Sequence, residues 1–166
     1  RTVRFSMNHL GHQRGVAAIE FALLLIPLTI LAFGITEYGR AMYQYNTIAK
    51  ATRDAARYMS MQAPGDAGAM AKAKCLVIFG KAACSGNPLV PGLTAQAVTI
   101  VIKDSSTNPG THALQPVSAG GGPVTGVANL VTVEVSGFRF VSLVSFVAPD
   151  MTFGTIGTTM FGAPPS

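Results

Sequence analysis

The stretch Arg14-Gly15-Val16-Ala17-Ala18-Ile19-Glu20-Phe21 joins a basic segment to a long apolar run that continues to Ile35. The apolar run, residues 16–35, has about the 20 residues that a helix needs to cross the core of a bilayer. It is longer than the apolar core of an ordinary secretory signal, which has about 7–15 residues, and no small-x-small cleavage site follows it. We therefore predict a transmembrane helix over residues 16–35, in which the carboxylate of Glu20 requires an explanation.

Positive charge is concentrated before this helix. Arg1, Arg4 and Arg14 supply three units of the formal net charge of +5, and residues 1–15 contain no acid. Positive residues beside a membrane helix stay in the cytoplasm. We therefore expect residues 1–15 to form a cytoplasmic basic leader, and the chain after Ile35 to lie outside an inner membrane that is crossed once.

The rest of the chain is nearly neutral. Nine basic and seven acidic residues follow the leader, which leaves a net charge of +2, and they form no basic stripe interleaved with aromatic residues. Nucleic-acid-binding proteins carry such clustered positive charge. The charge distribution therefore argues against binding to nucleic acid.

The helical pattern continues beyond the apolar run. Small and apolar residues recur at alternating spacings of three and four, as is typical of a heptad-type helix face. This stripe consists of Ile35, Tyr38, Met42, Tyr45, Ala49, Thr52, Ala56 and Met59. We predict one helix from about Val16 to Met61, in which residues 36–61 form a periplasmic stalk. The stripe fits packing on the chain's own domain and packing against other subunits equally well.

Residues 62–166 are sufficient for one small globular domain. Ala63-Pro64-Gly65 ends the first helix, and Asp66 is a good N-cap for a second helix over residues 67–79, with Gly80 as its terminating residue. The apolar period then changes to two, which predicts three strands. These strands are residues 97–104, 130–136 and 151–160. We expect an α+β fold in which an antiparallel three-stranded sheet packs on the second helix or on the stalk.

The segment 105–126 is rich in Gly, Pro, Ser and Thr, which predicts a long, mobile surface loop. It contains His112, which we interpret as a lone surface histidine. Gly120-Gly121-Gly122 lacks the Lys and Ser or Thr that follow in a phosphate-binding loop. Because no nucleophile–base pair and no metal-ligand pattern is present in the sequence, we expect no enzymatic activity, no metal site and no cofactor.

Cys75 and Cys84 fall in the part of the chain that we expect outside the cytoplasm. A cysteine pair in an oxidising compartment is more often a disulfide than a metal site. Two thiolates also fall short of the four ligands of a structural zinc site. The sequence therefore predicts a Cys75–Cys84 disulfide that closes a short loop over Gly80.

Gly15 and the residues after it, Val16-Ala17-Ala18-Ile19-Glu20-Phe21, resemble the processing motif of type IV prepilins of the Flp/Tad branch. The longer stretch 14–25, together with Thr36-Glu37-Tyr38-Gly39-Arg40-Ala41-Met42 and Ala51-Thr52-Arg53-Asp54-Ala55-Ala56-Arg57-Tyr58, is similar to the N-terminus of TadE-like proteins. These proteins are minor pilins, or pseudopilins, of the tight-adherence pilus machinery. Beyond residue 58 only the paired cysteines and a strand-rich tail agree in outline, and the related TadF-like proteins share the N-terminal motif.

The resemblance implies that a prepilin peptidase cuts between Gly15 and Val16. It also implies that Glu20, which precedes the aromatic Phe21, pairs with the N-terminal amine of a neighbouring subunit. A carboxylate deep in lipid costs about 2.5–3.5 kcal/mol, and an opposite charge relieves much of that cost. Cleavage creates such a charge, because an α-amine is mostly protonated near neutral pH. The alternative is that Glu20 lies near enough to the interface to reach water.

The implied function is the initiation or assembly of a Flp/Tad-type pilus by a protein with a pilin-like fold. The partners implied are the prepilin peptidase, other Tad pilins and pseudopilins including TadF-like ones, the inner-membrane assembly platform and membrane lipid. The protein would stay in the inner membrane or enter the pilus. Two alternatives remain open, namely a TadF-like pseudopilin and a membrane-tethered periplasmic binding or adhesive module whose leader is only a cytoplasmic tail.

Overall fold

A computed structural model describes residues 13–118 and 122–162. The described residues form α1 (Gln13–Ser60), α2 (Ala67–Phe79), β1 (Thr99–Lys103), β2 (Gln115–Val117), β3 (Gly126–Ser136), β4 (Arg139–Phe140), β5 (Met151–Thr152) and β6 (Ile156–Gly162). The predicted α+β fold, with a long N-terminal helix, a second short helix and an antiparallel sheet, is confirmed. Most of the predicted leader, residues 1–12, lies outside the described residues.

The chain divides into two compact units. Unit 1 consists of the chain up to Gly39 together with Ser142–Pro149, and unit 2 consists of Arg40–Val141 together with the chain from Asp150 onward. Helix α1 therefore contributes its first part to unit 1 and its remainder to unit 2. The residues predicted as a stalk, 36–61, fall mostly within unit 2.

Strand β3 is the centre of the main sheet of unit 2. It pairs antiparallel with β1 from Thr99↔Ser136 to Lys103↔Thr132, and with β6 from Asn129↔Gly162 to Val135↔Ile156. The three predicted strands are therefore present as β1, β3 and β6, paired in chain order. Strand β2 adds a short antiparallel pairing to the beginning of β3, and β4 pairs with β5 in a separate two-stranded sheet.

The third predicted strand, residues 151–160, is interrupted in the structure. Its first two residues form β5, and β6 begins only at Ile156. Between them, the backbone N–H of Phe153 donates to the carbonyl oxygen of Phe138 at 2.8 Å. The ring of Phe153 packs on those of Tyr45, Phe138 and Phe140, with centroid distances of 5.5–6.3 Å. This aromatic packing, which joins distant parts of the chain, accounts for the break.

The core of unit 2 lies between the main sheet and both helices. Its buried side chains come from α1 (Ile48, Ala55, Ala56 and Met59), from α2 (Ala69, Ala73 and Val77) and from the strands (Ile102, Val131, Val133, Val135 and Ile156). The later part of the heptad-type stripe, Thr52, Ala56 and Met59, is buried here. Of the two alternatives for the stripe, packing on the chain's own domain therefore holds for this part of α1.

Helix α2 has the bounds and caps that the sequence predicts. The Asp66 carboxylate accepts hydrogen bonds from the backbone N–H groups of Gly68 and Ala69 at 2.8 and 3.0 Å. Gly80 has φ 71°, and its N–H donates to the Leu76 carbonyl oxygen. A side chain is disfavoured at this φ, and a Cβ there would also lie 2.9 Å from a methyl carbon of Leu89. Glycine is therefore the residue that fits the end of α2.

The segment 105–126 differs from its prediction. It contains β2, and His112 is buried. The His112 ring nitrogens Nδ1 and Nε2 lie 2.9 Å from the Thr111 hydroxyl and 2.8 Å from the Thr132 hydroxyl. The interpretation of His112 as a lone surface histidine is therefore wrong. Thr132 lies on β3, and sequence spacing alone does not reveal a hydrogen-bond partner 20 residues away.

Candidate functional site

The first part of α1 exposes large apolar side chains along its length. Between 44 and 68% of each side chain is exposed for Val16, Ile19, Phe21, Leu23, Leu24, Leu25, Ile26, Leu28, Ile30, Leu31, Phe33 and Ile35. The most apolar 18-residue window of the helix has a mean hydropathy of 2.4, and none of it is buried. A continuous apolar surface of this kind marks a contact with a membrane or with another protein. The helix is a candidate membrane span, consistent with single-pass anchoring.

Two threonine hydroxyls, one inside the apolar run and one directly after it, form hydrogen bonds within the helix. The Thr29 hydroxyl donates to the Leu25 carbonyl oxygen at 2.7 Å, and the Thr36 hydroxyl donates to the Ala32 carbonyl oxygen at 2.9 Å. Helix α1 continues through Pro27, whose ring nitrogen has no hydrogen to donate. A hydroxyl group in lipid has no water to bond with, so its hydrogen bond must be formed within the protein.

The four residues predicted for processing and assembly lie together at the start of α1. Gly15 is the third residue of the helix, and no described atom lies within 4 Å of the position that a Cβ would take. Val16, Glu20 and Phe21 are all exposed. Because Val16 and Glu20 are four residues apart, they lie on the same side of the helix. Within the described part of the chain, Glu20 has no ion-pair or hydrogen-bond partner.

A second carboxylate at the other end of the apolar run was not assigned a role from the sequence. Glu37 is only 2% exposed, and its Oε2 accepts a hydrogen bond from the backbone N–H of Leu143 at 3.1 Å. Both residues belong to unit 1. The position of Glu37, two residues beyond the apolar run, gave no indication of its contact with Leu143. Its partner lies 106 residues away, in a segment without predicted structure.

In unit 2, an aromatic and ionic cluster fixes the strands on either side of that segment. The Arg40 guanidinium lies 4.4 Å from the centroid of the Phe140 ring and donates to the Val141 carbonyl oxygen. Arg139 and Asp150 form an ion pair at 3.0 Å. A cation over an aromatic face contributes about 0.5–1 kcal/mol or more. These contacts fix the residues directly before and after the segment 142–149, which connects β4 to β5.

Cys75 and Cys84 form a disulfide in the structure, with 5.0 Å between their Cα atoms. The disulfide ties the last turns of α2 to the loop beyond Gly80. Residues 13–118 and 122–162 contain no group of three or more His, Cys, Asp or Glu side chains that could hold a metal ion.

Asp104 is a fully buried carboxylate in unit 2. It accepts hydrogen bonds from the backbone N–H groups of Gly65, Ser106 and Thr107, and from the Thr107 hydroxyl, at 2.7–3.0 Å. Burial by itself would raise the pKa of Asp104, but the hydrogen bonds from Gly65, Thr107 and Ser106 outweigh it and hold that pKa below its ordinary value. Asp104 therefore links the connection between α1 and α2 to the turn after β1.

Comparison with known protein families gives a match at the N-terminal end of the described chain. The family model described as TadE-like protein matches residues 15–57. The matched stretch begins at Gly15, includes the whole apolar run, residues 16–35, and ends three residues before the end of α1. Comparison with curated proteins and with solved structures gives no match.

Proposed function

We propose, because residues 15–57 match the family model described as TadE-like protein, that the chain is a minor pilin, or pseudopilin, of a Flp/Tad-type pilus. It acts in the initiation or assembly of the pilus after a prepilin peptidase has cut between Gly15 and Val16. The family match, which implies association with Tad pilus components and begins at Gly15, is the observation that carries the proposal.

The proposal gives the chain one orientation in a bacterial inner membrane. Residues 16–35 span the bilayer, residues 1–15 stay in the cytoplasm, and unit 2 lies in the periplasm. The concentration of Arg residues before the span supports this orientation. The Cys75–Cys84 disulfide supports it independently, because disulfides persist in the periplasm and are rare in the cytoplasm.

Glu20 is the residue that this function requires most. Its carboxylate projects from an exposed apolar helix surface, where lipid would leave it without a charged partner. After cleavage, Val16 begins the helix, and its free amine adds a positive charge to the unpaired N–H groups there. We propose that Glu20 of one subunit pairs with this amine of a neighbour, while the exposed ring of Phe21 packs on the neighbouring helix.

Other surfaces of α1 would complete the contacts between subunits. The early part of the stripe, Tyr38, Met42 and Tyr45, is exposed. Exposed aromatic and Met side chains are enriched in protein interfaces. We propose that these side chains contact other Tad pilins and pseudopilins, including TadF-like ones, or the inner-membrane assembly platform. In this proposal the chain works by binding partners and not by catalysis.

Co-expression of the full chain with a Tad-type prepilin peptidase tests the proposal. Intact-mass measurement and N-terminal sequencing should show a product that begins Val16-Ala17-Ala18-Ile19-Glu20. Gly15→Val should block the cut, because the peptidase would meet a branched side chain next to the bond. Gly39→Val is the matched control, since Gly39 also lies in α1 with open space around it, and it should be cut normally. An uncut wild-type chain, or a cut at another bond, contradicts the proposal.

A further inference from the structure

The segment Ser142–Pro149, which connects β4 to β5, has an unusual surface. Its sequence, Ser142-Leu143-Val144-Ser145-Phe146-Val147-Ala148-Pro149, contains no charged residue. Leu143 and Phe146 are each 78% exposed, more than any other large apolar side chain that the structure describes. Apolar residues at such exposure in a connecting segment indicate a contact outside the chain.

The segment is a fixed turn. The backbone N–H groups of Val147 and Ala148 both donate to the Val144 carbonyl oxygen, at 2.9 and 3.1 Å. The Val144 N–H donates to the Ser142 hydroxyl at 3.1 Å, and the Leu143 N–H donates to Glu37. Because these four N–H groups already have partners, moving the turn out of water does not leave them unpaired.

The turn lies beside the apolar run of α1 within unit 1. Phe146 lines an apolar groove together with Leu25, Ile26, Thr29, Ile30 and Phe33. The Val147 side chain lies 3.6 Å from the position that a Cβ would take at Gly34. Residues 25–33 lie from the middle of the apolar run toward its end at Ile35. Leu25 lies about 15 Å from Ile35 along the helix, at 1.5 Å per residue. Because Phe146 lies beside residues 25–33, it is at the depth of the membrane leaflet nearer to Ile35.

We propose that Ser142–Pro149 is a second membrane contact, in which Leu143 and Phe146 insert into the lipid of that leaflet beside α1. A lipid surface is the occupant because the turn has no charge, has its N–H groups paired and is continuous with the candidate span. Interfacial segments of this kind bury their apolar side chains about 5–10 Å into the boundary between headgroups and acyl chains. The inference requires only that residues 16–35 span a membrane, and it does not depend on processing or on pilus assembly.

The absence of tryptophan from the sequence makes the test direct. Phe146→Trp and Leu143→Trp each place one tryptophan in the turn of the full chain, which is reconstituted in phosphatidylcholine–phosphatidylglycerol vesicles at high dilution. Phe161→Trp, at a ring that is 67% exposed on β6, is the matched control. Quenching is measured with lipids brominated on the acyl chains and with aqueous iodide. Circular dichroism and an intact disulfide identify folded variants.

We expect brominated lipid to quench the tryptophans at 143 and 146 several-fold more than the one at 161, and iodide to do the reverse. Equal access of iodide to all three positions, without quenching by brominated lipid, would overturn the proposal. Protection from iodide without quenching by lipid would also overturn it, in favour of contact with another subunit. If the protection from iodide is lost when the ratio of lipid to protein is raised, the turn contacts another subunit and the proposal is overturned.

Discussion

The two parts of α1 treat their apolar side chains in opposite ways. Before Gly39 the helix carries Leu, Ile and Phe side chains that remain exposed, whereas from Arg40 onward it buries Ile48, Met59 and several Ala side chains in the core with the sheet and α2. Ala55 and Ala56 are fully buried in this core. Apolar composition therefore does not by itself predict burial within the chain. The difference lies in whether the rest of the chain covers the helix, as it does after Arg40 and does not along the apolar run.

Three carboxylates show the same contrast in another form. Glu20 is exposed on the first part of α1, Glu37 is buried against the turn at Leu143, and Asp104 is buried under hydrogen bonds in unit 2. A buried carboxylate requires partners, and both buried ones have them within their own unit. The carboxylate of Glu20 has none within the described part of the chain, which is why we assign it to a contact between subunits.

The largest effect is expected at Glu20. Glu20→Leu should abolish piliation while leaving cleavage after Gly15 intact, because it removes the charge that we propose for assembly and leaves the proposed processing site unchanged. Pili are counted by electron microscopy, and the mass of the membrane-bound chain reports cleavage. Leu24→Ala, at an exposed position of the same helix, is the control and should retain pili. Normal piliation by Glu20→Leu would favour the tethered binding module over the pseudopilin.

Two truncations along α1 sharpen the comparison between its two parts. Ile48→Ala removes a fully buried side chain from the core of unit 2 and should lower the free energy of unfolding by about 2–5 kcal/mol. Leu24→Ala, at an exposed position, should change it by less than about 0.5 kcal/mol. Denaturant unfolding of the full chain in a mild detergent measures both. Equal destabilisation would mean that residue 24 is packed inside the folded chain.

Removal of the disulfide should have a smaller effect, confined to unit 2. Cys75→Ser with Cys84→Ser should lower the free energy of unfolding by about 2–3 kcal/mol, since the bond closes a loop with a sequence separation of 9 residues. The same denaturant experiment, run with and without reductant on the wild type, checks the value. A wild type that is unaffected by reductant while its thiols become free would contradict the expected contribution.

The smallest effect concerns pH. The lowered pKa of Asp104 means that the unfolded chain takes up a proton first on acidification. The stabilisation by Asp104 is therefore fully present above its ordinary pKa of 3.8 and is lost as the pH falls through the still lower folded value. Asp104→Asn should be less stable than the wild type at about pH 6, and the difference should shrink by about pH 3. Asp54→Asn, at an exposed position of α1, is the control and should show a much smaller change.

The sequence predicted those features whose causes are local. The caps Asp66 and Gly80 determine the ends of α2, and the period of two reveals β1, β3 and β6. It did not predict the burial of His112 or the contact between Glu37 and Leu143, because each depends on a partner that the fold brings from far along the chain. Strands of two or three residues, such as β4 and β5, are too short to show any period.

The candidate site, too, could be predicted only where its residues form a local motif. Gly15, Val16, Glu20 and Phe21 were identified from the sequence because their spacing is a local motif, and the structure places them together on exposed helix. The turn over residues 142–149 had no such motif. Its apolar composition becomes informative only when it lies beside the apolar run of α1.

Cleavage after Gly15 should create the contact that we propose for Glu20 between subunits. A photo-crosslinking residue at Phe21, in the full chain co-expressed with Tad pilins, measures this contact with and without active prepilin peptidase. We expect crosslinks to a neighbouring pilin subunit only when the peptidase is active, and their loss when Glu20→Leu is added. Equal crosslinking without cleavage, or with Glu20→Leu, would contradict it.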